Sequence, residues 1–123
     1  MPPSPSLYVT KDSGQRVDFE TGSRRDVEDG KLDFTLIPWM SLRRYVELLQ
    51  RGADKYGRNN WRKGQSMARG ERSLARHFAQ YLAGERDEDH LAAIVFNAVL
   101  LMDHEDRLAR GELPKSLDDR EPV

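Results

Sequence analysis

The chain has 123 residues, enough for one domain with a modest core. Its 20 Lys and Arg balance 21 Asp and Glu, so net charge gives no argument for a nucleic-acid polymer or a membrane as partner. Without cysteine there is no disulfide, thiol nucleophile or thiolate metal site, and a mean hydropathy of -0.79 suits a cytoplasmic protein. The opening MPPSPSLYV lacks the basic start and apolar run of a secretory signal, and LAAIVF and AVLLM, separated by Asn97, are too short to span a bilayer.

Residues 1–33, rich in Pro, Ser, Gly and charge, read as an extended arm. LDFTLIPWM (Leu32 to Met40) follows as an apolar lead-in that Pro38 keeps out of a helix. A first helix is expected from an N-cap at Ser41 to a stop at Gly57, burying Leu42, Tyr45, Val46, Leu49, Ala53 and Tyr56. RNNWRKGQSMARG reads as a loop that enters the next helix near Met67. The body of that second helix spans about Glu71 to Ala83, with a stripe of Leu74, Ala75, Phe78, Tyr81 and Leu82. GERDED is a connector, and a third helix runs from Asp89 to Ala109. It is apolar on nearly every side between Leu91 and Met102, as befits the middle of a bundle. Residues 111–123 read as a polar tail after a helical domain at 34–110. No alternating strand pattern stands out, so the expected class is all-α.

Three features bear on chemistry. His90, Asn97 and His104 recur every seven residues and share one line along the third helix. The amide of Asn97, enclosed by apolar neighbours, either pins helix register or lines a pocket. His104, in MDHED, is read as structural and near a solvated end. The acids Glu85, Asp87, Glu88 and Asp89 crowd the start of the same helix, where capping accounts for one of them. Together they suit a hard cation such as Mg²⁺. From Arg51 to Arg76, by contrast, Arg51, Lys55, Arg58, Arg62, Lys63, Arg69, Arg72 and Arg76 face only Asp54 and Glu71. Within that run KYGRNNWRKG places bases beside Tyr56 and Trp61, a composition able to hold phosphates and stack a ring, although Trp61 itself reads better as core. Bases for phosphates and acids for a metal suit a metal-bound polyphosphate.

TGSRRDVEDGKLDFTLIP, GADKYGRNNWRKG and ARHFAQYLAGERDEDHLAAIVFNAVLL, in that order, resemble the phage and bacterial dATP/dGTP diphosphohydrolases, relatives of the MazG-like all-α nucleotide pyrophosphohydrolases. The resemblance runs from about Phe19 to Arg107. It implies a MazG-like helical bundle completed by oligomerisation into a dimer or tetramer, in the cytoplasm, or the host cytoplasm for a phage-encoded member. It also implies Mg²⁺, with Mn²⁺ as a substitute, and hydrolysis of dGTP or dATP to the monophosphate and pyrophosphate. Carried over by position, Lys55, Tyr56, Asn60, Trp61, Lys63 and Arg76 bind substrate, Glu85, Asp87 and Asp89 hold the metal, and His77, Glu85, His90 and Asn97 are catalytic. MazG-like enzymes pair glutamates at i, i+3; here the first helix offers Glu47 with Asp54 on the same face, and Ala93 stands where a third-helix carboxylate would complete a pair. The alternative is a protein that binds or sequesters a nucleotide without cleaving it.

Overall fold

The computed structural model describes residues 9–123, which form two units, one up to Ile37 and the other Pro38–Val123. The chain is mainly helical, as expected, and the first unit adds one small two-stranded sheet. Strands β1 (Arg16–Asp18) and β2 (Arg24–Asp26) pair antiparallel, with Val17 opposite Arg25. Their side chains are almost entirely polar, so no hydrophobic alternation betrays them. The hairpin is held by its turn, where Phe19 N–H donates to the Ser23 carbonyl at 2.8 Å, and by charge. Arg24 pairs with Asp18 at 2.6 Å, and the Ser13 hydroxyl donates to Asp26.

The second unit is helical: α1 (Arg43–Tyr56), α2 (Met67–Leu82) and α3 (His90–Ala109). Ser41 does not cap α1. It lies in a 3-10 turn over Trp39–Leu42, and the helix begins without a side-chain cap, while Gly57 ends it. The α1 face turned inward carries Tyr45, Leu48, Leu49 and Ala53, leaving Val46 and Tyr56 exposed. Helix α2 starts earlier than the apolar pattern indicates because Ser66 caps it, its hydroxyl accepting from Arg69 N–H. Its buried face is also not the apolar stripe. Met67, Gly70 and His77 are buried, whereas Phe78 and Leu82 are exposed. Gly70 packs directly against Leu100 and Leu101 of α3, to which a Cβ there would stand at 3.4 Å.

Helix α3 is the centre of the unit, packed against both α1 and α2. Ala92, Ala93 and Leu100 belong to the core, with Met67 from α2 and Leu113 from beyond α3. Asp89 caps its start by accepting from Ala92 N–H. The segment after α3 folds back as a strap. Leu113 is buried, a 3-10 turn covers Lys115–Leu117, and Asp119 accepts from Ser66 Oγ at 2.6 Å and Ala68 N–H at 2.8 Å. These bonds hold the Asp119 carboxyl below its ordinary range, the Ser66 hydroxyl contributing most. Among the described residues, no helix is long and apolar enough to cross a membrane.

Candidate functional site

The line of His90, Asn97 and His104 turns wholly inward; all three are buried. Asn97 is both pin and wall. Its amide nitrogen donates to the Ala93 carbonyl (2.9 Å) and to Ser73 Oγ on α2 (3.1 Å), and its side chain borders a cavity of about 1070 Å³. His104 is structural as read, but at 0 % exposure it lies far from solvent. Its Nε2 accepts from Gln65 N–H at 3.0 Å, its Nδ1–H donates to Asp103 at 3.0 Å, and the ring stacks on Trp61 with centroids 6.5 Å apart. Trp61 also meets Phe96 edge-on, so the indole is packed among core side chains.

At the other end of α3, His90 meets His77 of α2. Their Nδ1 atoms are 2.9 Å apart, and His90 Nε2 is 3.0 Å from Asp87 Oδ1. Because Asp87 is exposed and ionised, its oxygen fixes the His90 proton on Nε2, and His77 Nδ1–H is then the donor to His90 Nδ1. The hydrogen bond from His90 holds the Asp87 carboxyl below its usual range, while burial pushes the His77 imidazole down and favours its neutral form. Ligand atoms of His77, Glu88 and His90 lie within 4.8 Å of one another, as do those of Glu85, Asp87 and His90. His90 thus stands between two groups of donors, one on each ring nitrogen.

Asp89 is placed elsewhere. Both its oxygens accept from Arg44 of α1, at 2.6 and 2.7 Å, and this bidentate pair lowers its pKa to about 2. Helix capping and the ion pair together engage the carboxylate that spacing alone groups with Glu85 and Asp87. A divalent ion such as Mg²⁺ commonly takes one or two carboxylates and completes its shell with water and substrate phosphates. Glu85 and Asp87, both exposed, fit that demand without Asp89.

The cavity beside His77 is lined on one side by Arg69, Arg72 and Arg76, on successive turns of α2, and elsewhere by Tyr56, Ser73, Glu88, Ala93, Phe96 and Asn97. A second cavity, of about 630 Å³, shares Leu48, Glu88 and Ala93 with it and adds Arg44, Arg51, Arg86, Asp87 and Asp89. Of the expected substrate residues, Tyr56 and Arg76 line the larger cavity. Lys55, Asn60, Trp61 and Lys63 line neither: Lys55 Nζ lies 5.1 Å from the Tyr56 ring centroid, and the other three form the 3-10 turn Asn60–Lys63. In sequence Arg69 and Arg72 stand only as members of the longer basic run and not among the substrate residues, although their i, i+3, i+7 spacing with Arg76 in ARGERSLAR puts them on one helical face. Glu88, hidden among its acidic neighbours, is the carboxylate that borders both cavities. Ala93, where a carboxylate pair would have been completed, is instead part of their common wall.

Three guanidinium groups and the Glu88 carboxylate line one cavity of a helical domain, a composition chemically suited to a phosphorylated ligand with its counter-cation. A family model described as dATP/dGTP diphosphohydrolase, N-terminal, matches residues 21–116, and the chain belongs to that family. No curated protein and no solved structure matches it. The family's name is that of a hydrolase acting on purine deoxynucleoside triphosphates.

Proposed function

We propose that this protein hydrolyses dATP or dGTP to the monophosphate and pyrophosphate with Mg²⁺ or Mn²⁺, acting in the cytoplasm on a MazG-like bundle. The observation that carries the reading is the row Arg69, Arg72 and Arg76 on a cavity that Glu88 also lines, with Asp87 next to it in sequence and lining the adjoining cavity. Its volume, about 1070 Å³, suffices for a nucleotide, since small-molecule sites run from about 300 to about 1,000 Å³.

The arginines neutralise the triphosphate and orient it along α2, each guanidinium donating to phosphate oxygens. Tyr56 and Phe96 offer aromatic surface for the base at the cavity wall. Asn97, fixed to Ser73 and Ala93, keeps α2 and α3 in register where both line the cavity. Glu85 and Asp87 hold the divalent ion, which when bound shields phosphate charge and supplies an activated water. Asp87 is itself oriented by His90 Nε2–H. Attack of a water on the α-phosphorus breaks its bond to the α–β bridging oxygen, the water oxygen stays on the monophosphate, and the arginines share the charge of the departing pyrophosphate.

Self-association belongs to the same reading. Val46 of α1, Phe78 and Leu82 of α2 and Met102 of α3 are each more than half exposed, an apolar surface that a second copy would cover. Light scattering should return the mass of a dimer or tetramer.

Purified protein with Mg²⁺ should release pyrophosphate from dATP or dGTP, and Arg72→Ala combined with Arg76→Ala should lower that rate by at least about 100-fold, from loss of two charge-assisted contacts. Absence of turnover with every deoxynucleotide at high protein concentration would end the hydrolase reading. Calorimetric binding that persists in EDTA, with the nucleotide recovered intact, would establish the sequestering alternative in its place.

A further inference from the structure

We propose that His77 Nδ1, His90 Nδ1 and a Glu88 carboxylate oxygen form a binding site for a six-coordinate first-row transition ion such as Mn²⁺, Fe²⁺, Co²⁺ or Ni²⁺. It is separate from the Glu85 and Asp87 pair, on the opposite nitrogen of His90. The inference does not rest on nucleotide hydrolysis, because the ion is held by the chain alone.

The argument begins with the facing nitrogens. Two buried imidazoles present the same atom, Nδ1, to each other at 2.9 Å. With metal–nitrogen bonds of about 2.0–2.1 Å, that separation subtends about 90° at an ion between and beside them. This is the angle between adjacent positions of an octahedron; a tetrahedral ion would need about 3.3 Å between the nitrogens. A Glu88 carboxylate oxygen lies within 4.8 Å of both, so two histidines and one carboxylate are within reach of a single ion. His77 and Glu88 both line the larger cavity, so the remaining coordination positions open toward it.

The surroundings match what a ligating histidine requires. Asp87 accepts the proton of His90 Nε2 at 3.0 Å, which leaves the Nδ1 lone pair free and fixes the plane of the ring. In the ion-free chain that lone pair accepts from His77 Nδ1–H. On binding, His77 takes its other tautomer, with the proton on Nε2, and both Nδ1 lone pairs turn to the ion. No net proton is released by the pair. Magnesium, which prefers all-oxygen shells, has no such use for two imidazoles.

The test is a titration of EDTA-stripped, full-length protein with Co²⁺ in the absence of nucleotide, read by calorimetry and by visible absorption. One Co²⁺ per chain is expected, with the weak bands of six-coordinate cobalt, undisplaced by a tenfold excess of Mg²⁺. His77→Gln and Glu88→Gln should each weaken Co²⁺ at least about 10-fold, and Asp87→Asn should weaken it through His90 by about 10-fold or more. Glu85→Gln should leave it unchanged. Glu88 is exposed, so its variant reports on the site even where a histidine variant fails to fold. Failure of Co²⁺ to bind at millimolar concentration overturns the proposal. So does binding that survives Glu88→Gln with unchanged circular dichroism, or binding lost in Glu85→Gln, which would move the ion to the other nitrogen. None of these readings involves pyrophosphate release, so the hydrolase reading stands or falls separately.

Discussion

The two ends of α3 each bury a histidine against an aspartate at the same distance, His90 with Asp87 and His104 with Asp103, both at 3.0 Å. They differ in what meets the second ring nitrogen. At His104 it is a backbone N–H, that of Gln65, a donor with no freedom to turn away. That bond closes the imidazole: both nitrogens have fixed partners, and the ring serves to join the Asn60–Lys63 turn to α3. At His90 the second nitrogen meets His77, a partner whose own proton can move, and the pair borders a cavity. The difference teaches that an Asp–His pair does not by itself mark chemistry; the partner of the remaining nitrogen does.

Substitutions sharpen this contrast in descending order of effect. His104→Ala should cost about 3 kcal/mol in a denaturant melt, from lost packing on Trp61 and from leaving Gln65 N–H and Asp103 without their partner. Its Co²⁺ affinity should match that of the unaltered chain; a loss there would erase the distinction between the two ends. His77→Gln should show the converse, a smaller stability loss of about 1 kcal/mol with Co²⁺ binding lost, because the glutamine amide can still pair with His90.

Smaller again is the Arg44–Asp89 pair at the His90 end. The folded-state pKa of Asp89, about 2, lies below its ordinary 3.8, so the pair adds stability above pH 3.8 and loses it as pH falls through about 2. Arg44→Ala should therefore move the midpoint of acid unfolding upward, followed by circular dichroism between pH 5 and pH 1. Near neutral pH its cost should be small, since Arg44 is half exposed and solvent screens the pair. At the opposite end of the unit, Asp119→Ala should have the smallest effect on the same melt, by removing the carboxylate that accepts from Ser66 Oγ and Ala68 N–H at the start of α2. A change of several kcal/mol there would mean that the strap, and not the histidine, closes that end.

The sequence made the helical part legible because its signals are local. Asp89 reads as a cap, Gly57 as a stop, and the apolar stretch after Leu91 as the central helix. Asn97 is visible as buried for the same reason. The hairpin was illegible because Arg16–Asp18 and Arg24–Asp26 hold together by charge and a turn, with no hydrophobic period to detect. The inward face of α2 misled as well. Phe78 and Leu82 look like core, yet the face that turns inward carries Ser73 and His77, whose polar partners Asn97 and His90 lie on α3. The site followed the same division. Acids at one helix start and bases before them were readable as neighbours in sequence, but the engagement of Asp89 by Arg44, 45 residues away, and the meeting of His77 with His90 depend on how the helices align. The arginine row was readable in principle from its spacing, which the longer basic run concealed.

The strap has a consequence for how the protein comes into being. Asp119 completes the start of α2 from 53 residues downstream of Ser66. On the ribosome, therefore, α2 and most of α3 emerge before the residue that ties down the α2 end. Gly64, where any Cβ would stand 2.7 Å from Leu117, waits for the same late segment. Docking of the strap thus follows the emergence of the helices it ties down. The Gln65–Arg69 corner of the cavity takes its final form only then, and a nascent chain halted before residue 119 should leave that corner open to a protease.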